Sequence, residues 1–380
     1  MLNIGRHLRE RAKQRKSPLG LAFGRPLVLL QSDDWGRVGV RDREGFEQLR
    51  AAGLTMGEQP YDFYTLEGAE DVEALRATLR RHGDSTGRPP CLVMNFVLAN
   101  VDFSKTVKDD FRNLYLMPLA DGLPGTWKRP GLFDAYLSGI ADGTFYPALH
   151  GTTHFCRSAV ERKLRDNGGV GELLRTLWKA ETPYIYWRMP WIGYEYWNPE
   201  FKPKQRFLDK SRQEDLVRES AELFERMFGI APFSACAPGY RSNEDTCRAW
   251  ERCGIRVIQN GSGGSVPMHF DEQNILWVHR NVDFEPATAG SSFSLEVCLR
   301  RAQQNLDGGI PAVVSVHSIN FHSSLRDFRG PSLKLLDEFL SVLERRYPDL
   351  LYIHDADLYH LANEGRYEGL QGSITVTAKQ

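Results

Sequence analysis

Short apolar runs recur along the chain, at 26–32 (PLVLLQS), 91–98 (CLVMNFVL), 146–150 (YPALH), 233–237 (FSACA), 255–259 (IRVIQ), 275–280 (ILWVHR), 311–317 (PAVVSVH) and 350–354 (LLYIH). Each has the length and composition of a buried strand. Between them the spacing of apolar positions changes to a helical period, at 68–82, 211–228, 242–252, 294–306 and 331–346. Ser211 and Glu214 have the spacing of a capping box, and Pro331 after Gly330 suits a helix start. Strands that alternate with helices predict an α/β protein with a parallel sheet. Seven or eight such units in one chain predict a (β/α) barrel in preference to an open sheet.

Polar and ionisable residues gather at the carboxyl ends of these runs: Asp33–Asp34, Asn100 and Asp102, His150 and His154, Pro238–Arg241, His279–Asp283, and His317–His322. In a parallel barrel those ends share one face, the face that carries chemistry. The first run poses the sharpest question. In "LVLLQSDDWGRVG" (27–39) two like charges stand side by side at the end of a buried strand. Adjacent buried carboxylates repel, and a cation is the simplest agent that keeps them ionised. Helix capping would account for one Asp, not two. "HGTTH" (150–154) places two imidazoles four residues apart just after another strand. Two neutral imidazoles and one carboxylate make a three-ligand set for Zn²⁺ or a similar ion, with positions left for water and substrate.

Composition narrows the classes without choosing among them. The chain has 380 residues and a net charge of −1, so no strong field points to nucleic acid. No apolar run reaches the length of a membrane span. Six cysteines (Cys91, Cys156, Cys236, Cys247, Cys253, Cys298) lack any C-x-x-C pair and read as reduced thiols, which predicts a cytoplasmic protein. Residues 1–25 form a basic segment with no apolar run of the signal-peptide kind. Leu2, Ile4 and Leu8 among its Arg and Lys residues would allow contact with the inner membrane surface; a frayed terminus is the plainer reading. Residues 26–380 are expected to form one barrel domain.

Two further stretches stand out. "YIYWRMPWIGYEYWNPEF" (184–201) concentrates aromatic residues in a segment without a period. It reads either as a packing insertion or as a platform for sugar rings, with Trp187 and Trp191 as candidate contacts. "IQNGSGGS" (258–265) is glycine-rich but lacks the Lys-Ser/Thr of a phosphate loop, and reads as a flexible loop.

The order Asp-Asp, His-x-x-x-His, "APGYRSNEDT" (237–246) and "SVHSINFH" (315–322) resembles the polysaccharide deacetylase (NodB-homology) family of carbohydrate esterases. The resemblance spans roughly residues 27 to 360 and implies a distorted (β/α) barrel of about seven parallel strands. It implies that Asp34, His150 and His154 hold a divalent metal ion, zinc first. It makes Asp33 the general base and His317 the general acid, with the "APGY" loop lining the site and giving a backbone N–H to the oxyanion. Tyr240, Arg241, Asp283 and His322 join Trp187 and Trp191 as candidate substrate contacts. The implied activity is hydrolysis of the N-acetyl amide of a sugar in a glycan or an intracellular glycan precursor. The chain departs from the family pattern in three places. Trp35 intervenes before Gly36, and Cys236 stands where an arginine usually orients the base, leaving Arg241 or Arg280 to reach that carboxylate. "WVHRNVDFEP" only approximates the fourth motif, with Asp283. Two alternatives remain at this level: a glycoside hydrolase using Asp33 with Asp283 or Glu285, and a non-catalytic carbohydrate-binding protein.

Overall fold

The computed structural model describes residues 20–185, 189–261, 267–370 and 372–379. The basic segment lies almost wholly outside these residues, as do Trp187 and the glycine-rich stretch from 262. Eight strands correspond to the eight apolar runs: β1 (Leu27–Trp35), β2 (Leu92–Phe96), β3 (Phe145–Leu149), β4 (Ser234–Cys236), β5 (Val257–Asn260), β6 (Leu276–His279), β7 (Ala312–His317) and β8 (Leu351–Ile353). Five helices occupy the periodic segments: α1 (Ala69–Leu79), α2 (Lys210–Phe228), α3 (Glu244–Arg252), α4 (Leu295–Asp307) and α5 (Arg329–Arg346). The start of α2 differs from the capping-box expectation. Asp209 occupies the cap position, and Glu214 pairs with Arg252 at 2.6 Å and with Lys210 at 4.0 Å instead of closing a capping box with Ser211.

Strands β7, β1, β2, β3, β4, β5 and β6 lie side by side in parallel. The chain beyond β6 then pairs through Val282–Asp283 with β7, so the segment 276–283 joins the two ends of the row. The result is a distorted barrel of seven strands. The eighth strand, β8, is parallel to the first residues of β1. Among the described residues no helix is long and apolar enough to cross a membrane.

The twofold alternation of a strand explains the barrel's interior. Val28 and Leu30 of β1 belong to the large cluster formed with the surrounding helices. Leu29 joins Val93, Ala148, Val257, Val278 and Val313 in a second cluster. One inward step further along the strands lie Gln31, Asn95, Gln259, Arg280 and Ser315, with Ser315 in register with Gln31, and Asp33 lies one step beyond Gln31. The interior is therefore layered, apolar at the base, amide-rich in the middle and charged at the carboxyl ends.

Candidate metal and catalytic site

Regular alternation would send Asp33 and Asp34 to opposite faces of β1. The strand avoids this by a register shift against β2 between Ser32 and Trp35. Asp34 adopts a left-handed backbone, φ 74°, which is uncommon for a residue with a side chain and marks a site held by its surroundings. Both carboxylates consequently line one cavity of about 240 Å³, together with Arg37, His150, His154, Tyr240 and His317. Buried side chains hold the turn in place. Asn100 donates to the Gly36 carbonyl at 2.9 Å and accepts from the Val38 N–H at 3.0 Å, and Glu67 accepts from the Gly36 N–H at 2.9 Å.

Asp33 is saturated with donors. Arg280 grips it in a fork, Nη1 to Oδ2 at 2.7 Å and Nη2 to Oδ1 at 2.6 Å, and Asn95 donates to Oδ1 at 2.8 Å. Arg280 is itself 1% exposed and is fixed by Gln31, Gln259 and Ser315. Burial alone would raise the pKa of Asp33, but the adjacent guanidinium holds it far below the usual carboxylate range. Arg280 thus reaches Asp33 from just beyond β6 while the Cys236 thiol sits 3.8 Å from its Nη2. Arg241 is turned elsewhere, over the ring of Trp197. Burial pushes the Cys236 thiol up, so it remains neutral beside Asp33.

Asp34 is satisfied on one side only. Its Oδ2 accepts from Arg37 Nη2 at 2.8 Å, whereas Oδ1 is buried without a hydrogen-bond partner among the described residues. Facing that oxygen are His154 Nε2 at 3.2 Å and His150 Nε2 at 3.6 Å. The other ring nitrogens are engaged: His150 Nδ1 lies 2.8 Å from the Cys236 carbonyl, which can only accept, and His154 Nδ1 lies 3.1 Å from the Tyr184 hydroxyl. A proton on His150 Nδ1 leaves its Nε2 lone pair directed toward Asp34. Burial lowers the pKa of His154 to about 3, so it stays a neutral ring. An orphaned carboxylate oxygen and two Nε2 atoms that converge on it fit a divalent cation. A second grouping, Asp33, His150 and Cys236, also converges, but its carboxylate is taken up by Arg280 and its sulfur is held as a thiol.

His317 lies at the opposite side of Asp33, with Nε2 3.9 Å from Oδ2. Its Nδ1 is 2.6 Å from Glu285 Oε1, and Asn320 secures the other Glu285 oxygen at 2.7 Å. Burial would lower its pKa, but the Glu285 carboxylate outweighs that and raises it to about 9. Tyr240, another left-handed residue, lines the cavity and donates to Asp33 Oδ2 at 3.5 Å. Its own N–H bonds the Ala237 carbonyl within the turn.

The other candidate contacts fall outside the cavity lining. Asp283 is exposed and pairs with Arg301 at 3.0 Å. His322 is buried against Glu67 at 3.2 Å. Trp191 packs on the helix-side core, and Trp197 beside Arg206 and Arg241. From the aromatic stretch, Tyr194 lines the cavity, while Met189, Ile192 and Tyr196 are core residues. Sequence reasoning did not single out Arg37, Tyr61 or Asn95. Glu285 entered only as a glycosidase acid, although it stands two residues beyond Asp283 at the end of the same segment.

No family model and no curated protein matches the chain. Solved structures similar to it include the "probable polysaccharide deacetylase" of Pseudomonas aeruginosa PAO1, at 11% identity and TM-score 0.47, over 89% of this chain and 91% of that one. The allantoinase PuuE gives 11% and 0.46, with the same shares. A family 4 carbohydrate esterase from Streptomyces lividans, in complex with acetate, gives 10% and 0.35 over 86% and 90%. At this level of likeness the site's own geometry has to carry the function.

Proposed function

We propose that the protein is a metal-dependent amide hydrolase that removes an acetyl group from an N-acetylated sugar of a glycan or glycan precursor. The observation that carries this reading is the buried, unpartnered Asp34 Oδ1 facing two imidazole nitrogens, with a second carboxylate and a protonated imidazole on the same cavity. Asp34, His150 and His154 would hold the ion, zinc by the chemistry of the donor set. Such an ion polarises an acyl carbonyl and makes a water more acidic.

The chain's own groups supply the proton transfers. Asp33, kept ionised by Arg280, takes a proton from the attacking water as its oxygen bonds the acyl carbon. The carbon–nitrogen bond then breaks. His317, kept protonated by Glu285, gives its Nε2 proton to the departing nitrogen, which cannot leave as an anion. Water and amide are thereby converted to carboxylic acid and amine. The cavity matches an acyl group and part of a ring, and Tyr61, Tyr194 and Tyr240 supply aromatic walls suited to sugar C–H faces. The six free cysteines suit a reducing compartment, so we place the protein in the cytoplasm. A glycosidase that uses Asp33 with Asp283 or Glu285 is less well supported, because Asp283 is exposed and paired with Arg301 while Glu285 is bound to His317 and Asn320.

The test is release of acetate from N-acetylated oligosaccharides and sugar precursors by zinc-loaded protein. Acetate without new reducing ends supports the reading. Reducing ends without acetate, or neither product across the panel, overturns it.

A further inference from the structure

The ligand-bearing loop 150–154 is held from both sides. Its carbonyls at Gly151 and Thr152 accept from the N–H groups of Leu98 and Ala99, at 3.2 and 2.9 Å. Its N–H groups at Thr152 and Thr153 turn the other way, to a single atom, Glu195 Oε1, at 2.9 and 3.2 Å. Glu195 has no exposed surface, and neither threonine has any. It stands at the tip of a tight turn, because Tyr194 and Trp197 exchange both backbone hydrogen bonds across it. Its neighbour Tyr194 meets the His154 ring edge to face at 5.8 Å.

The second Glu195 oxygen is buried without a hydrogen-bond partner among the described residues and lies against Gly151, where a methyl group would collide with it. Gly151 is itself left-handed, φ 81°. A buried carboxylate is costly to keep, and this one is spent on two backbone donors between two metal ligands. Among the described residues Glu195 is the acceptor recorded for both the Thr152 and Thr153 N–H groups.

We propose that Glu195 is a positioning residue of the metal centre, fixing the 151–153 backbone so that His150 and His154 converge on Asp34. The segment read from sequence as either a packing insertion or a carbohydrate platform would then serve first as the brace of the ligand loop. The inference rests on the metal-site reading above and concerns the ion's affinity and geometry, not the identity of the substrate.

The experiment measures Zn²⁺ affinity by chelator competition, and the Co²⁺ ligand-field spectrum, in native protein, Glu195→Gln and Gly151→Ala. Glu195→Gln retains the shape but allows an NH₂ group to face the loop donors. Gly151→Ala retains Glu195 but displaces it. Both are expected to weaken Zn²⁺ binding about 10- to 100-fold, the usual cost of losing an outer partner of a ligand, and to alter the Co²⁺ spectrum. Melting of the metal-free proteins serves as the check on folding. Should Glu195→Gln not fold, Glu195→Asp, which keeps the charge and withdraws the carboxylate, takes its place. Unchanged affinity and spectrum in folded variants overturn the proposal while leaving the metal site intact. A native protein that binds neither ion overturns both.

Discussion

Asp33 and Asp34 are neighbours in sequence, equally buried, and each is paired with an arginine, yet they are built for opposite ends. Asp33 receives three strong donors and sits over a layer of amides that are themselves fixed by the buried Asp355. Asp34 receives one donor on one oxygen and turns the other toward the Nε2 atoms of His150 and His154. A saturated carboxylate holds its charge and position in the absence of any ligand. An unsaturated one facing two imidazoles is suited to a cation. On the proposed mechanism the difference separates a proton acceptor from a metal ligand more clearly than residue type does, and it accompanies one left-handed residue at the end of one strand.

The comparison can be broken by exchanging the two fates. Removing the partner of the saturated carboxylate should have the largest effect on folding. Arg280→Met leaves Asp33 buried and unpaired and is expected to cost about 3–5 kcal/mol, read by urea unfolding. A cost near zero would mean that water or another group already shares Asp33. Next come the aspartates themselves. Asp33→Asn should keep the bound ion and lower acetate release about 10²- to 10⁴-fold, whereas Asp34→Asn should lose ion and activity together. Loss of the ion from both would place Asp33 among the ligands.

A smaller effect sharpens the acid side. In the proposed mechanism His317 acts in its protonated form, and Glu285 raises its pKa from 6.5 to about 9. Activity should therefore persist up to roughly that pH and fall above it. Glu285→Gln removes the stabilising charge, so the alkaline limb should move down toward 6.5 in a kcat/KM–pH profile. An unmoved limb would assign it to another group. The smallest change is expected at Asp283→Ala, an exposed residue outside the cavity. Stability should shift by no more than about 0.5 kcal/mol, with activity close to native.

The fold was legible because the strands are short, apolar and separated by helical periods, and their boundaries required only a buried run and a turn. The convergence of Asp34, His150 and His154 was legible for a related reason: a strand's end announces itself, and these residues stand at the end of β1 or within five residues of the end of β3. Arg280 was legible only as one of two possibilities. Its partnership with Asp33 depends on the barrel's closure through Val282–Asp283 and β7, which brings the end of β6 across from β1 and which no local pattern encodes. Glu285 was obscured by Asp283, since which of two nearby acids turns inward depends on how the chain bends after Val282–Asp283. The role of 189–198 was hidden because a segment without a period gives no face. Its glutamate could be recognised only once the loop it braces was in place.

The account's central claim is that Asp34, His150 and His154 hold one divalent ion, and elemental analysis tests it most directly. Native protein, supplemented with Zn²⁺ and desalted, is measured beside the folded Asp34→Ala, His150→Ala double variant. The account predicts about one ion per native chain and none in the variant, as a three-ligand site requires. Native protein that retains no more metal than the variant would contradict it.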